Sequence, residues 1–425
     1  MLNKKIKHSD FFKNVVTLFS GAATAQLIPI VFSFWYARLY EPSEFGPLVL
    51  FLSFSSLLSI IITARYEMAI MLPKDDKRAI NLMALACLIT TAIFVLAVLV
   101  YMLYDSSTIQ FYKSHEVYQF IWLVPIHAFI IGLYNSLTYW TSRKKKYRFI
   151  SIAKVIQQVV FVGLIITLAY FNFGAKALIY GTVLGHAAAM LVLLLVNAKG
   201  LKPIAKYVSM ASIKSTAKEY KEFPKINSLH AFGDSLRENG ANVLIDNFFT
   251  QATLGWYGFM QRILRTPLSL ISYAVSQVFF QQSASMHANN ENIQPLVKKV
   301  VNILMIGGLP CFLLLMLFGK PIFSFVFGAD WAMAGWYAQI LAPWLFLNLL
   351  VTPISHVPVV VNQQRKVFLI SLVGHSLFIG SILYAGLVAN NFEVGLYLIS
   401  ITQTIYLIFV LRWIIKISDL KTTNA

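Results

Sequence analysis

Apolar runs of bilayer-spanning length recur along the whole chain, and only a bundle of membrane helices accommodates so many of them. Twelve stand out, at 14–38, 46–70, 79–104, 117–140, 149–171, 175–197, 225–249, 254–281, 296–319, 333–361, 366–389 and 393–416. Charged residues make up only 12% of the sequence and hydrophobic residues 58%, whereas a soluble domain carries about 25% charged residues. The chain therefore reads as all-α and polytopic. The first run follows a basic lead, MLNKKIKHSDFFKN, and has no clear cleavage site, so it reads as a retained helix and not a removed signal. Cys87 and Cys311 both fall inside runs, which argues against a disulfide framework.

The loops alternate in charge. One set is short and nearly neutral, as at 41–45, 171–174 and 390–392. The other set is basic: Lys4, Lys5, Lys7 and Lys13 at the start, LPKDDKR after run two, SRKKKYR after run four, and the segment from Lys199 to Lys225. Lys298, Lys299, Arg365, Lys366, Arg412, Lys416 and Lys421 fall on the same side, against Arg38, Lys113, Lys176 and Lys320 opposite. The positive-inside rule then puts the basic loops and both termini in the cytoplasm. The net charge of +18 follows from this sidedness and from attraction to anionic lipid, without any nucleic acid.

The longest basic loop divides the chain into an N-terminal six-helix lobe at 1–197, a cytoplasmic basic linker at 198–224, and a C-terminal six-helix lobe at 225–425. The plain reading of the linker is a solvated basic segment; a short surface helix is the alternative. An internal repeat supports the division. Aligning Gly46 on Gly255 places Ser53 on Arg262, Ser56 on Arg265, Thr63 on Ser272 and Glu67 on Ser276. Each half starts in the cytoplasm and has an even number of spans, so the repeats are parallel, a build in which transporters bind substrate between halves and rock to alternate access.

Ionisable side chains inside runs seven and eight are costly at that depth and point to function. On a helical wheel Arg262, Arg265, Ser269, Ser272, Tyr273 and Ser276 fall within about a 100° arc of run eight. In run seven Asn227, Asp234, Glu238 and Asn242 share an arc, with Arg237 beside them and Asp246 farther on. Run two repeats the pattern with Ser53, Ser56, Ser59, Thr63, Tyr66 and Glu67, while Arg65 falls on the opposite side of the same wheel and can snorkel to the surface. Run five groups Lys154, Gln157 and Gln158. A guanidinium suits phosphate or carboxylate, and hydroxyls and amides suit sugar. This combination fits an anionic, sugar-bearing substrate. Two plainer readings stand beside it: Asp234, Arg237 and Glu238 as a structural ion-pair network, and Arg262 and Arg265 paired with run-seven carboxylates. His186, His356 and His375 read as neutral packing groups. No metal-ligand spacing, phosphate-binding loop or hydrolytic triad is evident.

The segments SGAATAQLIPIVFSFWYARLYEPSEFG and TARYEMAIMLPK, with KEYKEFPKIN and LGWYGFMQRILRTPLSLISYAVSQVFF, resemble the bacterial oligosaccharide flippases of the polysaccharide transporter family. These are the Wzx-type O-antigen exporters of the multidrug/oligosaccharidyl-lipid/polysaccharide superfamily. The resemblance covers nearly the whole chain; the cluster DSLREN in run seven is its least typical part. It implies a MATE-like build of two six-helix lobes around a cationic cavity in the bacterial inner membrane. It further implies flipping of an undecaprenyl-pyrophosphate-linked oligosaccharide, the repeat unit of O-antigen or of another surface polysaccharide. On that reading the protein is a transporter and not an enzyme. Arg262, Arg265 and Arg237, with Lys154 and Arg65, would hold the pyrophosphate. Ser53, Ser56, Thr63, Glu67, Gln157, Gln158, Ser269, Ser272, Tyr273 and Ser276 would line the cavity, and Asp234, Glu238 and Asp246 would pair charges or carry a coupling cation, H+ or Na+. Its partners would be the polyprenyl-linked glycan, membrane lipid and polysaccharide polymerase machinery, with no cofactor. The alternatives are a MATE-type drug/cation antiporter and a membrane polysaccharide polymerase or ligase. The short external loops disfavour the polymerase or ligase. LPKDDKRA stands where a major-facilitator transporter would carry its glycine-rich signature.

Overall fold

The computed structural model describes residues 23–103 and 119–419. The basic lead with Lys4, Lys5, Lys7 and Lys13, as well as Lys113 and Lys421, lies outside them. Among the described residues all regular structure is helical. The helices in chain order are α1 (23–36), α2 (Pro42–Ile61), α3 (Tyr66–Ala69), α4 (Asp76–Leu103), α5 (Leu123–Arg143), α6 (Tyr147–Ala169), α7 (Ala175–Ala205) and α8 (Met210–Glu219). Then follow α9 (Ser228–Phe248), α10 (Gln251–Ala288), α11 (Gln294–Phe327), α12 (Ala332–Val351), α13 (Val357–Val360), α14 (Gln364–Tyr384) and α15 (Phe392–Ile417).

Nine segments among the described residues are long and apolar enough to span a membrane: α2, α4, α6, α7, α10, α11, the stretch Ala329–Val360, the stretch Gln364–Ala389, and α15. Helices α1, α5 and α9 take the remaining three positions read from the sequence. In α4 only 17% of the most apolar window is buried, so most of its hydrocarbon faces outward, as a helix in lipid requires. Ends are set locally. Asp75 accepts from the Arg78 amide (2.7 Å), Thr250 from Thr253 (3.2 Å) and Asn391 from Glu393 (2.8 Å), each side chain satisfying an otherwise unpaired helix-start N–H.

The chain forms two compact units. The first takes the described residues up to Tyr40 and then Pro47–Val243; the second takes Glu41–Gly46 and Leu244–Ala425. In the first, α7 runs on past the predicted end of its span to Ala205, and the basic stretch after it folds back as α8. This is not a solvated linker. Ile213 and Thr216 are buried, and the Tyr66 hydroxyl donates to Ala217 O (3.0 Å). Asn81 of α4 donates to Tyr207 O (3.0 Å) and accepts from the Ser209 amide (3.1 Å), and Arg78 lies 3.8 Å from Glu219. Helix α8 is thus clasped onto α3 and α4 while its lysines stay outside. Nearby Arg143, at the end of α5, spans Asp76 (3.0 Å), Ile70 O (3.2 Å) and Pro73 O (2.6 Å), and Lys144 also pairs with Asp76. The three acceptors tie the α3–α4 turn to α5.

In the second unit, α2's first turn packs on the start of α10. A Cβ on Gly46 would stand 2.5 Å from Gln251 O, and one on Gly255 would stand 1.7 Å from Pro42 O. The sequence offset that carries 46 to 255 also carries 42 to 251, so each half offers the same two positions to the other. This is the contact an internal repeat would make with its own copy. Phe45 anchors the turn edge-on to Phe259 (5.5 Å) and Trp331 (5.0 Å). Farther on, α11 and α12 cross where Gly319 and Gly335 face each other's backbone. Pro321 supplies no N–H to the carbonyl four residues earlier. Gln339 of α12 fills the gap, donating to Met316 O (2.8 Å) and Leu317 O (3.2 Å) and accepting from the Lys320 amide (2.9 Å). The two cysteines are free thiols, one in each unit.

Candidate functional site: polar and charged side chains within the helices

In the first unit two of the run-two hydroxyls, Ser53 and Ser56, are met by α9. Ser53, 1% exposed, donates to Val49 O (2.8 Å) and accepts from Asn242 (2.9 Å). Ser56 accepts from Asn239 (3.4 Å), which also donates to Ser235 Oγ (2.7 Å). The face of α9 that meets α2 is therefore its asparagine row. Glu238 is exposed, and Arg237 is half-buried, with its Nε lacking a hydrogen-bond partner among the described residues. Asp246 is half-buried near the end of α9. The side chains of Asn227 and Asp234 lie outside the description.

The continuous helix expected at 46–70 is corrected by the structure. Helix α2 stops at Ile61, and Ala64 and Arg65 take left-handed backbone (φ 48° and 60°) before α3 begins. Two consecutive left-handed residues that are not glycine are strained. The wheel that placed Arg65 opposite Glu67 therefore does not hold. The break turns Arg65 back to within 3.9 Å of Glu67, which is 2% exposed. Thr63, fully buried, sits in the same turn. Arg65 is a partner of a buried carboxylate and not a surface snorkeller.

On α6, Lys154, Gln157 and Gln158 are all half-buried, and the Gln157 amide nitrogen lies 2.9 Å from His186 Nε2 on α7. His186 Nδ1 in turn lies 3.1 Å from His127 Nε2 on α5. No local pattern marks this pair, because its members stand 59 residues apart on separate helices.

In the second unit α10 runs unbroken through its polar stripe, and burial divides that stripe in two. Ser272 and Ser276 are buried at 6% and 8% exposure. Arg265, Ser269 and Tyr273 are exposed, and Arg262 is half-buried. The Thr266 hydroxyl donates to Arg262 O (2.8 Å) and the Ser269 hydroxyl to Thr266 O (2.8 Å), so both hydroxyls beside Pro267 bond back to their own helix. The exposed Arg265, Ser269 and Tyr273, with the half-buried Arg262, put guanidinium, hydroxyl and phenol on one face, a donor set suited to an anion bearing sugar. Among the described residues no three His, Cys, Asp or Glu side chains gather as metal ligands would.

A family model described as polysaccharide biosynthesis protein matches residues 36–335. A similar curated protein is the probable low-salt glycan biosynthesis flippase Agl15 of Haloferax volcanii, 26% identical over 192 residues, which is 44% of this chain and 38% of the archaeal protein. Among solved structures, the lipid II flippase MurJ in an inward closed conformation superposes with a TM-score of 0.67 at 12% identity, covering 96% of this chain and 90% of that one. An inward-facing multidrug resistance MATE family transporter of the MOP superfamily gives 0.62 at 15% identity, covering 96% of both chains. At such identities the likeness speaks for the fold: the chain has the MATE/MurJ architecture.

Proposed function

We propose, because this chain belongs to the polysaccharide biosynthesis protein family, that it is a flippase for a lipid-linked oligosaccharide. The family match over residues 36–335 carries this reading. The exposed guanidinium and hydroxyl row of α10 supports it, since it suits an anionic, sugar-bearing head. The cargo we assign is an undecaprenyl-pyrophosphate-linked repeat unit of O-antigen or of another surface polysaccharide, carried across a bacterial inner membrane with both termini cytoplasmic. Arg262 and Arg265 hold the pyrophosphate; Ser269 and Tyr273 contact sugar; the polyprenyl tail stays in lipid. A planar, permanently charged fork is suited to this task because it keeps its charge where water is scarce. Arg65 and Gln157, given other partners by the fold, drop to supporting roles.

The test is transbilayer movement of a fluorescent polyprenyl-pyrophosphate oligosaccharide in liposomes, with a cationic dye as competing cargo. Each charge-assisted hydrogen bond is worth about 1.5–3 kcal/mol, so Arg262→Ala with Arg265→Ala should slow movement by more than about tenfold while the protein still inserts. Movement of the dye alone would reassign the chain to drug/cation antiport. Full activity in the double variant would remove the arginines from the site.

A further inference from the structure

Four helices of the first unit converge on a pair of imidazoles. Phe51 of α2 stacks on His127 of α5 with ring centroids 5.2 Å apart. His127 Nε2 faces His186 Nδ1 of α7 at 3.1 Å, and His186 Nε2 faces the Gln157 amide of α6 at 2.9 Å. His186 Nδ1 also lies 3.0 Å from Thr182 O, one turn back on its own helix. His127 is 1% exposed and its Nδ1 has no hydrogen-bond partner among the described residues, whereas His186 is half-buried. At 1.5 Å per residue His186 sits about 16 Å along α7, roughly half the depth of a bilayer core.

We propose that this pair is a proton-binding site, with His186 as the acceptor and His127 as its hydrogen-bonded second ring. Counting hydrogens leads to this assignment. In the neutral pair His186 Nδ1, which faces a carbonyl, carries its hydrogen and directs it at Thr182 O and His127 Nε2. His186 Nε2 then accepts from the Gln157 N–H. His127 keeps its own hydrogen on Nδ1, where nothing accepts it. A hydronium ion can give its proton to His186 Nε2, leaving water, if the Gln157 amide turns over to present Oε1. The imidazolium then has three acceptors, Gln157 Oε1, Thr182 O and His127 Nε2, and no hydrogen bond is lost. Amides in the same places would pack equally well but could not take the second hydrogen. One charge is the limit, since two imidazoliums at this separation repel.

Besides the two histidines, the charged and titratable groups on the packed helices are Glu44 on α2, with Arg65 and Glu67 past its break, Tyr134, Tyr139 and Arg143 on α5, Tyr147, Arg148 and Lys154 on α6, and Lys176, Tyr180, Lys199 and Lys202 on α7. Among the described residues none of them bonds to either ring. Burial opposes the charge, so the three acceptors have to offset it and protonation favours arrangements that admit water to His186.

The experiment is solid-state NMR of 15N-histidine-labelled protein in liposomes, titrated from pH 8 to 5. We expect one imidazolium per molecule from this pair, absent in His186→Gln. Gln157→Glu keeps both rings and adds an opposite charge, so its titration midpoint should rise by more than about one pH unit. Rings that stay neutral at pH 5 in both the parent and Gln157→Glu, or that take up two protons independently, would overturn the proposal. The readout needs no cargo and is independent of which glycan is moved.

Discussion

Helices α2 and α10, aligned by placing Gly46 on Gly255, start with the same glycine contact and then part ways. Helix α10 continues for 38 residues through its polar stripe. Helix α2 ends after 20, and its continuation bends through Ala64 and Arg65 to bring an arginine onto a buried glutamate. Where α3 has Glu67, α10 has the small hydroxyl of Ser276; where α10 has Arg262 and Arg265, α2 has Ser53 and Ser56, both engaged by asparagines of α9. One helix thus leads into a strained turn that pairs an arginine with a buried glutamate, and the other carries its arginines on a straight, unbroken stripe.

The comparison can be broken first where the two helices touch. Gly255→Ala would push a methyl onto Pro42 O. We expect it to cost about 3 kcal/mol or more, seen as loss of monodisperse protein in detergent; Gly307→Ala, with nothing within 4 Å of the new atom, serves as its control. An unaffected Gly255→Ala protein would refute the close crossing. The next effect concerns the bend. Arg65→Ala leaves Glu67 buried without its cation, a loss of about 3 kcal/mol, and adding Glu67→Gln should recover most of it. Thermal unfolding of the three variants reads the coupling, and additive losses would mean that the pair does not interact. The smallest effect lies on α9. Asn242→Ala removes one donor from Ser53, which still has Val49 O to bond to, so about 1 kcal/mol is expected. A loss much larger than that would show the asparagine row to be more than a fastening.

The architecture was legible because the bilayer imposes it: apolar length alone marks the spans. The bend in α2 was not, because Thr63, Ala64 and Arg65 carry no glycine or asparagine to announce left-handed backbone. It is held by distant partners, Tyr66 reaching Ala217 and Arg143 bracing the following turn. For the same reason the wheel of run two misplaced Arg65, whereas run eight stays one unbroken helix, and what its wheel did not show is that Ser272 and Ser276 are covered while Arg265, Ser269 and Tyr273 are not. The clasp of α8 was hidden in a stretch whose lysines dominate its composition, although the side chains that dock it are Ile213 and Thr216. The paired histidines are a contact between helices, which periodicity within one helix does not encode.

The first turn of α2 has a consequence for the order in which this protein is made. Residues 41–46 belong with α10, yet nearly all other residues of their neighbourhood in sequence belong to the first unit. A ribosome adds about 5–20 residues per second, so Gly46 emerges roughly 10–40 seconds before Gln251 exists to receive it. Until then the nascent chain can assemble most of its first unit but must hold one helix end open in the membrane. Maturation of the whole protein is timed by the arrival of α10.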